Sequence, residues 1–130
     1  MIVVDASAIL AIVLKEPDAD VYRERLLHAG SALMSAVNQW EVLVRAWKVF
    51  GDPGSTAAEG VLRQMSVEVV ATTADDARAA ASAFQRFGRG SGGPLNLGDC
   101  FAYALAMREG DGLLFKGEDF TRTDVRSALS

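Results

Sequence analysis

Met1-Ile2-Val3-Val4-Asp5 is the stretch that decides the fold. Side chains alternate across a strand, so a run that is apolar at every position has both faces buried. That is the mark of a strand inside a parallel sheet with helices on either side. Asp5 closes the run, and Ser7 is expected to cap a helix over Ala8 to Lys15, ended by Glu16-Pro17. The pattern then repeats. A polar helix over Asp18 to His28 stops at Ala29-Gly30, and Leu33-Met34-Ser35 is a short second strand. Val37 to Phe50 is the clearest helix, with Val37, Trp40, Val44 and Trp47 at helical spacing. Gly51-Asp52-Pro53-Gly54 breaks it before a further helix over Ser55 to Met65. The valine-rich Val67 to Thr72 is a third strand, and Thr73 or Asp75 caps an alanine-rich helix through Phe87. Gly88 to Asn96 is a glycine-rich loop, Asp99 to Arg108 a helix, and Gly112 to Phe115 a fourth strand. Thr121 to Leu129 adds a last short strand or turn. Strands alternating with helices imply an α/β fold in three layers, α/β/α, around a mainly parallel sheet of four or five strands.

With 130 residues and no internal repeat or linker, the chain reads as one domain over 1–130. Half of its residues are hydrophobic and 23% are charged, an ordinary balance for a soluble globular protein. A net charge of -4 and a pI of about 4.9 argue against a general nucleic-acid coat protein. They do not exclude a nuclease whose acidic site engages phosphate through a metal. Cys100, the single cysteine, lies in an apolar helical run, so neither a disulfide nor a thiolate zinc cluster is expected. No basic segment precedes the first apolar run, which is too short to span a bilayer. A cytoplasmic protein without a membrane partner is the expectation.

Four carboxylates then stand out: Asp5, Glu41, Asp99 and Asp119, each at the edge of an otherwise apolar segment. An ionised carboxylate is costly to bury unless it is paired or binds a cation. Asp5 and Asp119 follow strands, and ligands of open α/β sheets bind beyond the carboxyl ends of strands. Asp99 lies in the first turn of its helix, and Glu41 shares the apolar side of its own helix with Val37 and Val44. Each has a plain alternative. Glu41 can pair with Arg45 one turn on, Asp99 can be a helix-start residue, and Asp119 or Glu118 can belong to a turn. Together they make the oxygen-rich cluster that a hard divalent cation needs.

Other signals are weaker. The loop Gly88-Arg89-Gly90-Ser91-Gly92-Gly93 resembles a phosphate cradle but lacks the following Gly-Lys-Ser/Thr of a P-loop. His28, the single histidine, lies on a polar helix, and no Ser-His pair suits acyl transfer.

Val3 to Ala8, Ser35 to Val42, Leu95 to Ala106 and Leu113 to Val125 resemble, in order, the four motifs of PIN-domain ribonucleases, and especially the VapC toxins of VapBC toxin–antitoxin systems. Glu118 departs from that pattern, where Asp or Asn is more usual, and leaves open whether it or Asp119 is the fourth acid; Asp119 is preferred. The resemblance implies a compact PIN domain that uses Mg²⁺, with Mn²⁺ as a substitute, to cleave structured RNA such as tRNA or rRNA. It implies a homodimer inhibited by a VapB-type antitoxin whose tail covers the acidic groove. Asp5 and Asp99 would hold the principal cation, with Glu41 and Asp119 completing the site directly or through water. Ser7 and Asn38 would orient carboxylates or waters. Arg89, Lys116 and Arg122 are the cations nearest to the site in sequence and the candidates for contact with RNA phosphates, although exposed Lys and Arg are usually only solvated. Two rival readings stay open: a metal-dependent phosphatase or DNA-directed 5′-nuclease on the same scaffold, and a catalytically silent module that binds a basic partner.

Overall fold

A computed structural model describes residues 1–129, so only Ser130 of the expected domain lies outside the described residues. Four short strands, β1 (Ile2–Val4), β2 (Ala32–Ser35), β3 (Val67–Val70) and β4 (Leu113–Leu114), form one sheet in the order β3-β2-β1-β4, with every pairing parallel. The tail adds one bridge beyond β4: Leu113 donates to the Arg126 carbonyl and accepts from the Ala128 amide, both at 2.9 Å. That bridge is what became of the expected fifth strand.

The two faces of β1 separate as its sequence demands. Ile2 and Val4 join one core with Ala32 and Met34, while Val3 and Leu33 join a second. The first core is covered by α1 (Ala6–Val13), α2 (Ala19–Ala29), α3 (Ala36–Phe50) and α4 (Asp52–Gln64). The second is covered by α5 (Ala74–Phe87) and α6 (Leu97–Glu109). Apart from Ser7, helix α1 is apolar all round, because α2, α3 and α4 all pack on it. The chain steps outward from β1 through β2 to β3, then crosses the other face to place β4 on the far side of β1. The strand order therefore reverses between β1 and β4, and the crevice beyond their carboxyl ends is where such folds bind ligands.

Three local expectations are corrected. Asp5, not Ser7, is the N-cap of α1: its side chain accepts from the Ser7 amide, and the helix starts at Ala6. The break before α4 shrinks to Gly51 (φ +70°), because Asp52, Pro53 and Gly54 form the first turn of α4. Gly54 lies so close to α3 that an added Cβ would stand 2.1 Å from the Ala46 carbonyl oxygen. That close approach also decides which side of α3 is buried. The inward stripe is Asn38, Val42 and Ala46, whereas Trp40 and Trp47 are 64% and 53% exposed. Small residues let the α3 and α4 backbones meet, and the aromatics of the expected stripe face outward. At α5, Thr73 supplies the cap, with Asp76 closing a capping box.

Candidate active site

The crevice between β1 and β4 is a cleft of about 260 Å³, lined among others by Asp5, Ser7, Glu41, Asp99 and Asp119. Strand β1 delivers Asp5, α3 delivers Glu41, α6 delivers Asp99, and a short 3₁₀ turn over Asp119–Arg122 delivers Asp119. The fold thus brings the four carboxylates singled out in the sequence to one cavity. Glu118 is exposed and is not among the residues lining it.

Asp5 is only 4% exposed. Its Oδ2 accepts from the Ser7 amide at 3.1 Å and from the Ser7 hydroxyl at 2.6 Å. Ser7 Oγ in turn accepts from the Lys116 amide at 2.9 Å, so one hydroxyl ties the end of β1 to the chain leaving β4. Asp99 is the third residue of α6 and reciprocates a capping box: it accepts from the Asn96 amide at 3.1 Å while Asn96 Oδ1 accepts from the Asp99 amide at 2.9 Å. Asn38 is fully buried, and its Nδ2 donates both to Glu41 Oε1 at 2.7 Å and to the Gly98 carbonyl at 3.0 Å.

These surroundings raise the acids. Burial pushes Asp5 up to about 6, against the two Ser7 donors and with help from the Glu41 charge. Asp99 also reaches about 6, through burial first; the Asn96 amide opposes this, Asp5 and Asp119 reinforce it, and Arg89 pulls it back. Glu41 is raised by burial, relieved by Asn38, raised again by Asp99 and eased by Arg45. Mutual repulsion among carboxylates that share a desolvated cleft is the condition a cation relieves.

Among the described residues no three acidic, histidine or cysteine groups stand as a ready-made metal cage. The donor set still fits a hard divalent ion. It is all oxygen, and Mg²⁺ commonly takes only one or two protein carboxylates and keeps several waters. Asp99 feels the charge of Asp5, and Asp5 that of Glu41, so the carboxylates are close enough to act on one another.

The cations divide. Arg45 and Arg89 line the cleft, and among the described residues neither forms an ion pair with a carboxylate. Arg89 Nε donates to the Pro94 carbonyl at 3.1 Å. Its loop is pinned by the Arg89 amide to Leu95 and the Leu95 amide to Phe87, at 2.9 and 3.0 Å. Lys116 also lines the cleft, but its ammonium is held by Glu16 at 2.8 Å and Asp18 at 2.9 Å. Arg122 is exposed outside the lining. Reading the sequence alone treats Arg45 only as a partner for Glu41, yet no ion pair between them is found among the described residues.

A model of the PIN domain family matches residues 2–126. This chain belongs to the PIN-domain family. Within it the chain resembles VapC ribonucleases along nearly its whole length. It is 43% identical to "Ribonuclease VapC42" of Mycobacterium tuberculosis over 130 residues, covering 98% of this chain and 99% of that protein. It is 42% identical to "Ribonuclease VapC" of Mycolicibacterium smegmatis over 124 residues, covering 95% and 96%. In fold it is similar to the crystal structure of Mycobacterium tuberculosis VapC20, described as a sarcin-ricin loop cleaving toxin, with a TM-score of 0.79, 18% identity and 96% of each chain covered. The recognition drawn from the four motifs is thereby borne out, and so is the α/β/α PIN fold with its parallel sheet.

Two features of this PIN cleft escape a reading of single residues. Asn96, expected only as loop, anchors Asp99 through the capping box. Gly98 lies flat against Glu41, and its one signal in the sequence is a glycine in the first turn of a helix, where it weakens the helix.

Proposed function

We propose that this chain is a divalent-metal-dependent endoribonuclease, the toxin of a type II toxin–antitoxin system that inhibits translation by cutting structured RNA. The observation that carries this is the meeting of Asp5, Glu41, Asp99 and Asp119, from four separate elements, in one cleft at the switch point of the sheet. The names of the VapC relatives support ribonuclease chemistry.

Asp5 and Asp99 would hold the principal cation, and Glu41 and Asp119 would complete its surroundings directly or through water. A bound Mg²⁺ or Mn²⁺ supplies positive charge that favours ionisation of an attacking water and offsets charge gathering on the phosphate. Ser7 orients Asp5 and favours its ionised form by donating to it, and Asn38 does the same for Glu41. Arg45 and Arg89 face incoming phosphates from the rim of an otherwise acidic cleft, where Coulomb attraction to the backbone is needed most. Lys116, paired with Glu16 and Asp18, positions the chain after β4 and is the weaker candidate for RNA contact.

The partner belonging to this reading is a VapB-type antitoxin whose basic tail enters the cleft, and the working compartment is the cytoplasm. Among the described residues no helix is long and apolar enough to cross a membrane. The homodimer is part of the same proposal; the outward Trp40 and Trp47 on α3 are the kind of exposed apolar surface such contacts cover. The RNA is tRNA or rRNA.

Sequencing RNA 5′ ends after brief induction of the chain tests the function. New ends at one position of a structured RNA, absent when Asp99→Asn is induced, are the expected result. Intact RNA together with cut DNA would favour a DNA-directed nuclease, and no cleavage of either would favour a silent binding module.

A further inference from the structure

Gly98 has an unusual neighbour. A Cβ built on it would stand 2.3 Å from Glu41 Oε1, 2.5 Å from Cδ and 2.6 Å from Oε2, and these are its three nearest atoms. The whole carboxylate of Glu41 therefore rests on the bare Cα of Gly98, in the first turn of α6 and one residue before Asp99. Asn38 bridges the same two residues. Both hydrogens of its Nδ2 are used, one on Glu41 Oε1 and one on the Gly98 carbonyl. The amide cannot be reversed, since that would set oxygen against oxygen. The arrangement leaves Asn38 Oδ1 buried with no partner among the described residues, a cost the core would avoid by using an apolar residue.

We infer that Gly98 and Asn38 form a cradle that seats the Glu41 carboxylate beside Asp99, and that Gly98 is a positioning residue for the acidic site. The inference rests on Glu41 belonging to the cation site as proposed above. Glycine is needed here for space. At a helical position an alanine would ordinarily be tolerated or favoured. What opposes it at residue 98 is the end of one flexible side chain, with no backbone atom among the three nearest. The fold can accept a methyl group there by swinging Glu41 away, and the site then loses one acid from the place where it would serve a cation together with Asp99.

The test is Gly98→Ala, made alone and in a Glu41→Asp background, with Mn²⁺ affinity by calorimetry, RNA cleavage and thermal unfolding as readouts. Alone, Gly98→Ala is expected to melt at or above the wild-type temperature while Mn²⁺ affinity and cleavage each fall roughly tenfold or more. In the Glu41→Asp background, whose shorter side chain withdraws the carboxylate, Gly98→Ala is expected to cost no more than roughly twofold further. Gly98→Ala that binds Mn²⁺ and cuts RNA like wild type, or that costs the same in both backgrounds, overturns the cradle. If Gly98→Ala does not fold, its combination with Glu41→Ala decides: recovery of the fold supports the contact, and continued unfolding overturns it. A wild-type chain that neither binds Mn²⁺ nor cuts RNA counts against the reading of the site beneath; the unfolding temperatures of the same variants without metal still report whether residues 41 and 98 are coupled.

Discussion

Ser7 Oγ lies 2.6 Å from Asp5 Oδ2, and the same oxygen accepts from the Lys116 amide at 2.9 Å. The serine thus does two things at once. It supports the ionised form of a nearly buried carboxylate, and it ties the end of β1 to the chain leaving β4 where these neighbouring strands open into the cleft.

Ser7→Ala removes the hydroxyl donor that holds the Asp5 pKa down, leaving burial less opposed. The pKa of Asp5 should rise further, and the acid limb of the pH–rate profile should move to higher pH. The Lys116 amide also loses its acceptor, and the lost bonds cost about 1–2 kcal/mol of stability. A pH–rate profile for Ser7→Ala that overlays the wild-type one would contradict this role.

Asp5→Asn should stabilise the metal-free protein at neutral pH. Folding raises the Asp5 pKa from 3.8 to about 6, so the folded state holds a proton that the unfolded state has already released. The ionised residue therefore destabilises the fold. The penalty is absent below about pH 4, grows between pH 4 and 6 and is complete above, where it amounts to at most about 3 kcal/mol. Thermal unfolding from pH 4 to 8 without metal should show the variant gaining on wild type as pH rises. Adding Mn²⁺ should stabilise wild type and not the variant, reversing or narrowing the gap.

The rim cations should separate by salt dependence. Arg45→Ala and Arg89→Ala should each slow cleavage and reduce its salt slope by roughly one phosphate contact. Lys116→Met should leave the slope nearly unchanged, because its charge is already met by Glu16 and Asp18. Cleavage across a salt series for the three variants checks this, and a Lys116→Met slope as shallow as that of Arg89→Ala would reverse the ranking.

A basic antitoxin tail entering the cleft should lower the effective pKa of Asp5 and Asp99 by supplying the opposite charge they lack. Truncating that tail should weaken inhibition even where the rest of the antitoxin stays bound. Full inhibition by a tail-less antitoxin would count against occlusion of the cleft.

The sheet was legible because its strands carry a strong signal: Ile2-Val3-Val4 has no polar side, and turns and caps bracket most of the remaining segments. The four acids were legible because each stands at the edge of an otherwise apolar segment. The inward side of α3 was not. A large apolar residue at helical spacing usually marks the buried face, but here α3 and α4 approach through Ala46 and Gly54, and the tryptophans are left outside. Nor could the sequence show that Lys116 is engaged, since Glu16 and Asp18 lie 100 and 98 residues away in the chain. The choice between Glu118 and Asp119 depends on how one 3₁₀ turn is oriented, which puts Asp119 on the cleft wall. Gly98 reads as an ordinary glycine until Glu41 is seen lying on it.

The central claim, that cleavage of RNA depends on a divalent cation held by Asp5 and Asp99, is tested most directly by titrating Mn²⁺ into purified wild type and Asp99→Asn while following cleavage of one structured RNA. Cleavage that rises with Mn²⁺ binding in wild type, and a folded variant that neither binds the ion nor cuts, are the expected results. Full cleavage by Asp99→Asn, or wild-type cleavage that is unchanged when EDTA replaces Mn²⁺, would contradict it.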